Sequence, residues 1–126
     1  MSVLIDTSVW VEYFRSGKQY GEQVDSLLDE NLATTNDLIL AELIPFLRLR
    51  NQRKIITLLN NLARIPLGID WEQVMDFQYR CLKAGINGIG IPDLIIAQNA
   101  RQHDAAILTL DQHFSRLAKV VPLRLA

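Results

Sequence analysis

The chain carries one cysteine, Cys81, in 126 residues. That excludes an intrachain disulfide framework and suits a reducing compartment. No apolar stretch approaches the roughly 20 residues a bilayer-spanning helix needs. Met1-Ser2 runs directly into an apolar segment, without the charged lead and long hydrophobic run of a secretory signal; a cytoplasmic protein is expected. Two histidines, His103 and His113, ten residues apart, together with the lone cysteine offer no tight zinc-ligand spacing. Also missing are a Gly-x-Ser-x-Gly elbow, a phosphate loop ending in Gly-Lys-Ser/Thr, and a Gly-x-Gly-x-x-Gly turn after a strand. Gly85, Gly88 and Gly90 precede a helical pattern, but no strand precedes them. Internal repeats and low-complexity segments are absent too.

What the chain does have is an ordinary globular balance, with 49% apolar and 21% charged residues. Disorder is ruled out by that composition, and the length predicts a single domain, residues 1–126, with one core. The formal net charge of −1 at first argues against a nucleic-acid partner. Leaving out four acids that break apolar surroundings (Asp6, Glu42, Asp93 and Asp111) reduces 14 acids to 10 against 13 Lys and Arg, so the remainder carries +3. An acidic pit inside a mildly basic rim fits that arithmetic.

Those four acids share a pattern. Asp6 ends the apolar run Val3-Leu4-Ile5, Glu42 interrupts Ile39-Leu40-Ala41 and Leu43-Ile44, Asp93 interrupts Ile91-Pro92 and Leu94-Ile95-Ile96-Ala97, and Asp111 follows Ile107-Leu108-Thr109-Leu110. Segments of β-branched and apolar residues alternate with helical spacing along the chain. Strands are expected at Ser2–Asp6, Leu32–Thr35, Ile65–Leu67, Ala105–Thr109 and Val120–Val121. Helices are expected between them: one capped by Thr7 or Ser8, one over Gln19–Glu30, one capped by Asn36 or Asp37, one over Lys54–Ala63, one over Asp70–Ala84, one from Pro92 to about Gln102, and a short one from Asp111 through Leu117. Pro45 should kink the third helix or start a new one, since it removes a donor and clashes with the carbonyl four residues back. Strands alternating with helices imply an α/β fold with a mostly parallel sheet of four to five strands covered on both faces. Ligands collect outside the carboxyl ends of such strands. Asp6 and Asp111 fall there, and Glu42 and Asp93 come from helices that follow strands or loops on the same side.

Converging carboxylates repel one another and lose hydration, so such a site is costly until a cation occupies it. Oxygen donors select a hard ion, Mg²⁺ or Mn²⁺. An ion held by carboxylates, with no base histidine in evidence, points to phosphodiester hydrolysis. Elsewhere, Arg48, Arg50, Arg53 and Lys54 form the densest basic run, read either as a solvated helix face or as an edge contacting phosphate or a partner. Ile55, Ile56, Leu58, Leu59 and Leu62 make the fourth helix apolar beyond one stripe, which suits core packing or a subunit contact.

Leu-Ile-Asp-Thr-Ser-Val-Trp near the start, Ala-Glu-Leu in the middle, Pro-Asp-Leu-Ile-Ile-Ala later and Leu-Thr-Leu-Asp-Gln-His-Phe near the end resemble PIN-domain nucleases, specifically the VapC toxins of bacterial toxin–antitoxin modules. The likeness runs through the whole chain in order. It implies a PIN-like α/β/α sandwich and a Mg²⁺-dependent or Mn²⁺-dependent endoribonuclease acting on RNA. Asp6, Glu42 and Asp93 match the family's metal-binding acids and Asp111 its fourth acid, while Ser8 and Thr109 match supporting hydroxyls. A homodimer and a VapB-like antitoxin are implied as partners. Many relatives carry a further Asp two residues after the fourth acid, where this chain has His113; that position becomes a candidate contact to RNA or metal. Two other readings stay open at this point: a metal-dependent aspartyl phosphotransfer domain, which Asp6-Thr7-Ser8 serves poorly for want of a second adjacent acid, and a non-catalytic module whose acids hold a structural ion or dock a basic peptide.

Overall fold

A computed structural model describes all residues from Met1 to Ala126. The elements in chain order are β1 (Val3–Ile5), α1 (Thr7–Arg15), α2 (Gly21–Asp29), β2 (Ala33–Thr35), α3 (Asp37–Leu49), α4 (Arg53–Asn60), β3 (Ala63–Arg64), α5 (Trp71–Lys83), α6 (Ile91–Gln102), β4 (Ala106–Leu108) and α7 (Gln112–Leu117). The four strands form one parallel sheet in the order β3-β2-β1-β4, with Val3 registered on Ala33 and on Ala106. Every residue of β1, β2 and β4 is buried, as expected where helices cover both faces of a parallel sheet.

Chain order decides where a site can form. From β1 the chain winds outward through β2 to β3, then returns to place β4 on the other flank of β1. The winding direction therefore reverses between β1 and β4, and a crevice opens at the carboxyl ends of those two strands. Asp6 directly follows β1, and Thr109 directly follows β4.

Several local expectations change in three dimensions. The first helix starts one residue early: Asp6 is its N-cap, and Thr7 and Ser8 lie inside it, freeing both hydroxyls for other partners. Pro45 neither breaks α3 nor begins a new helix; α3 runs through it, and burial of Ile39, Leu40, Leu43 and Leu47 along one side offsets the lost backbone bond. α3 ends instead at Leu49, and Asn51, with a φ of 56°, turns the chain toward α4. The third strand is Ala63–Arg64 rather than Ile65–Leu67, because only one further ladder bond, from Ile65 N–H to Thr35 O at 2.8 Å, forms before Pro66 ends the donors. Val120 and Val121 make no strand. Both amides turn back to Leu117 O, each at 3.0 Å, and the tail meets β4 through a single bridge, Ile107 to Leu125.

The apolar surfaces of α4 and α5 are disposed differently. On α4, Leu59 is buried and Ile55, Ile56 and Leu58 are half-buried, so that helix spends its apolar surface on the core. On α5, by contrast, Val74, Phe77 and Cys81 are buried while Trp71, Met75, Tyr79 and Leu82 remain exposed. At about 100° per residue these four fall on one arc beside the buried stripe.

A buried polar relay ties α3 to α6. The Asn36 side chain caps α3 by accepting from Ile39 N–H at 2.9 Å and donates to Asn99 Oδ1 at 2.9 Å, and Asn99 Nδ2 donates to Pro66 O at 2.9 Å. Both asparagines are almost fully enclosed. Asn36→Ala is expected to lower unfolding free energy by about 2–4 kcal/mol, combining a lost cap with a stranded Asn99 carbonyl. Urea denaturation measures this, and Asn36→Asp, which keeps the cap acceptor but not the donor, should fall between the variant and wild type.

Candidate functional site

Asp6 is the innermost acid, 5% exposed at the end of the central strand. A carboxylate there needs donors, and two hydroxyls supply them. Ser8 Oγ donates to Asp6 Oδ2 at 2.8 Å, and Thr109 Oγ1 donates to the same oxygen at 3.0 Å. Each hydroxyl is itself oriented by a backbone donor: Leu110 N–H to Ser8 Oγ at 3.0 Å, and Asp111 N–H to Thr109 Oγ1 at 2.9 Å. Ser8 and Thr109 therefore clamp one oxygen of Asp6 from the β1 and β4 sides of the crevice. Asp6 Oδ1 accepts no bond from the chain.

Glu42 reaches the crevice from the second turn of α3, where Thr7 Oγ1 donates to its Oε1 at 3.1 Å. Burial pushes the Glu42 carboxyl above its ordinary range, the Thr7 bond pulls it back, and the charge of Asp6 adds to the rise. Thr7 is a residue that sequence reasoning assigned only to helix capping. Its flanks, Asp6 and Ser8, were the available signal.

Asp93 lies in the first turn of α6, with Gly90 before it as N-cap and Pro92 within the turn. Its carboxyl is pushed up to about 6, first by burial and then by Asp111, with Asp6 and Glu42 contributing, and His113 opposing. The acids singled out in the sequence thus come within electrostatic reach of one another. Asp111 is the N-cap of α7, accepting from His113 N–H at 2.9 Å. Ligand atoms of Asp93, Asp111 and His113 all lie within 4.8 Å of each other, so the tightest group contains a histidine and two acids. Asp6 and Glu42 sit outside it. His103 is remote in role: its Nδ1 lies 3.1 Å from Asn99 O at the end of α6.

The donor set suits a divalent cation. No lysine or arginine pairs with Asp6, Glu42, Asp93 or Asp111, although other acids on the surface do find such partners, as Asp37 does with Arg64 and Asp76 with Arg80. The one basic side chain against these acids is His113, whose Nδ1 lies 3.4 Å from Asp93 Oδ2 and 3.1 Å from Asp111 Oδ1. Arg48, Arg50, Arg53 and Lys54 do not enter the crevice. They are exposed around the turn from α3 to α4, with Arg50 stacked on Phe46 at 4.4 Å from the ring centre.

Because the Asp93 carboxyl sits at about 6 rather than its ordinary 3.8, its ionised form opposes folding when no cation is bound. The neutral form is tolerated, so the full stability at this position exists below the ordinary value and is lost as pH rises through about 6. In chelator, Asp93→Asn is expected to melt above wild type at pH 7 to 8, with the gap closing toward pH 4. Thermal denaturation across that range checks it; a variant that melts below wild type at pH 8 would show that the repulsion is absent.

The PIN domain family profile matches residues 3–120. Over 130 aligned positions the chain is 30% identical to the VapC ribonuclease Mb1587 of Mycobacterium bovis, covering 98% of this chain and 97% of that protein. Ribonuclease VapC11 of Mycobacterium tuberculosis matches with the same identity and coverage. Among solved structures, VapBC2 from Rickettsia felis bound to a promoter DNA fragment is similar at a TM-score of 0.79 and 21% identity, covering 100% of this chain and 98% of that one. The sarcin–ricin loop cleaving toxin VapC20 of Mycobacterium tuberculosis is similar at 0.65 and 17% identity, covering 98% and 99%. With the reversal of winding beside β1, acids at both strand ends and near end-to-end alignment with those ribonucleases, the chain belongs to the PIN-domain family, in its VapC group.

Proposed function

We propose that this protein is a Mg²⁺-dependent or Mn²⁺-dependent endoribonuclease, the toxin of a toxin–antitoxin pair, in which Asp6, Glu42, Asp93 and Asp111 form the catalytic metal site. The observation that carries the reading is the crevice itself: four acids from β1, α3, α6 and the β4–α7 turn, without a lysine or arginine among them. Membership of a group whose named relatives are ribonucleases supports the reaction class. No helix is long and apolar enough to cross a membrane. One continuous core extending from β1 to Val121 supports a single PIN unit over residues 1–126.

A divalent ion, when bound, stabilises charge on the phosphoryl oxygens and makes a water more acidic. The chain's own residues do the positioning. Ser8 and Thr109 hold Oδ2 of Asp6 and leave Oδ1 without a partner in the chain. Thr7 holds Glu42 at the rim, and Asp93 and Asp111 close the opposite side. Thr109 and Asp111 are coupled, since the hydroxyl that steadies Asp6 also accepts the Asp111 amide. Side chains locked in this way need no reorganisation as the scissile phosphate arrives. Arg48, Arg50, Arg53 and Lys54 supply candidate phosphate contacts at the edge of the molecule, beyond the α3 end of the crevice.

Two partners follow. Between α1 and α3 a cavity of about 180 Å³, lined by Val11, Phe14, Leu43, Phe46 and Leu47 with Arg15 and Arg50 at its edge, supports an antitoxin of the VapB type whose apolar side chains are flanked by acids. The named VapBC complexes are consistent with such a partner. The exposed α5 face supports a second copy of this chain. Along α5, Glu72 and Asp76 come first and Arg80 and Lys83 last, so two copies crossing antiparallel would bring acids opposite bases around Trp71, Met75, Tyr79 and Leu82.

Purified protein free of antitoxin is expected to cut total RNA into discrete products with Mg²⁺ or Mn²⁺, and not with chelator. Asp6→Asn and Asp93→Asn should each lose at least about 100-fold in rate, the order expected when a preorganised charge is removed from such a site. Undiminished cleavage by both variants would sink the assignment. For the second copy, light scattering should report a dimer for wild type and a monomer for Tyr79→Glu, an exposed position whose change leaves the core intact; a dimer in both would exclude the α5 contact.

A further inference from the structure

The side chain at the centre of the tightest ligand group is neither an acid nor one of the four expected ligands. His113 Nδ1 lies 3.1 Å from Asp111 Oδ1 and 3.4 Å from Asp93 Oδ2, two carboxylates brought together from α7's cap and from α6. Neighbouring ligands of an octahedral ion at bond lengths of about 2.1 Å are about 3.0 Å apart, so the Asp111 spacing matches an edge of such a shell and the Asp93 spacing exceeds one by a few tenths of an ångström. His113 Nε2 forms no bond within the chain, whereas the other histidine, His103, is engaged with the α6 backbone. Anchoring comes from the backbone: His113 N–H is tied to the same Asp111 carboxylate, which limits where the imidazole can go. An acid at this position would have added a further negative charge to a crevice that already lacks lysine and arginine. The imidazole adds a nitrogen donor instead.

We propose that His113 is a direct metal ligand, forming with Asp93 and Asp111 a mixed nitrogen–oxygen cation site that favours Mn²⁺ or Co²⁺ over Mg²⁺. This deepens the nuclease reading and rests on it for the placement of the metal at these acids. The preference follows from ligand chemistry. Imidazole binds first-row transition ions well, while Mg²⁺ keeps to carboxylate, carbonyl and water oxygens. An all-acid version of the site would accept Mg²⁺ on better terms, so the identity of residue 113 sets which ion the crevice takes.

The test is pulsed electron paramagnetic resonance on Mn²⁺-loaded full-length protein, alongside titration calorimetry with Mn²⁺, Co²⁺ and Mg²⁺. Wild type should show nitrogen coupling of a directly bound imidazole. His113→Asp, which offers oxygen in place of nitrogen, should lose that coupling, still bind Mn²⁺, and lower the ratio of Co²⁺ to Mg²⁺ affinity by about 10-fold or more, the scale seen when ligand surroundings are altered. His103→Gln, away from the crevice, should retain the coupling. Absence of nitrogen coupling in wild type, or an unchanged affinity ratio in His113→Asp, overturns the proposal and reduces His113 to an ion-pair clip between the two acids. RNA cleavage by wild type and Asp93→Asn, run in parallel, separates the two readings. Asp93-dependent cleavage without nitrogen coupling would defeat the His113 assignment alone, and nitrogen coupling without any cleavage would defeat the nuclease alone.

Discussion

Asp6 sits where a charged group is hardest to keep, at the end of a strand with neighbours on both sides and helices on both faces. Two hydroxyl bonds to one of its oxygens make that position tenable. The constraint propagates outward. Ser8 can reach Asp6 only because α1 begins at Thr7, and Thr109 can reach it only because β4 pairs beside β1 in a register that sets Leu108 against Ile5. The same two hydroxyls accept the amides of Leu110 and Asp111, so the path of the chain out of β4 is set by the group that steadies the buried acid. Removing the Thr109 hydroxyl would disturb Asp6, the turn after β4 and Asp111 together, and removing that of Ser8 would disturb Asp6 and the Leu110 amide.

Around that fixed point the protein accumulates charge it cannot neutralise from its own side chains. Burial and like charge raise Asp93 and Glu42 together, a cost to the fold that a bound cation would reverse. The rest of the molecule compensates in ordinary ways, through a continuous apolar core and the enclosed Asn36–Asn99 relay. Surface acids such as Asp37, Asp76 and Asp104 are paired with arginines. The crevice is the exception, and His113 is the single cationic candidate in it. Its place between Asp93 and Asp111 joins the two helices that border the β4 side of the site.

Much of this was legible in the residues, and the failures share a cause. Acids interrupting apolar runs stood out because burial of charge is rare without a purpose, which is why Asp6, Glu42, Asp93 and Asp111 could be named from local context. Strand and helix alternation gave the parallel sheet by the same reasoning. The misplaced elements were all decided by partners distant in sequence. Ala63–Arg64 pairs where β2 offers an edge, Val120–Val121 turns back on Leu117, and α3 survives Pro45 because its apolar side packs on the core. Thr7 follows the same rule: a hydroxyl beside a helix start reads as a cap until its neighbour, Glu42, is known.

Residue pattern alone carries the fold class, the alternation of strands and helices and the four acids set in apolar runs, since periodicity and the cost of burying charge act locally along the chain. Tertiary structure alone decided that β4 returns to the far side of β1, which brings residues from both ends of the chain into one crevice. It also decided that Ser8 and Thr109 share one oxygen of Asp6, and that His113, rather than Asp6 or Glu42, completes the tightest ligand group. Thr109 meets Asp6 across 103 positions of sequence and His113 meets Asp93 across two helices, approaches that only strand pairing and helix packing can bring to hydrogen-bond distance.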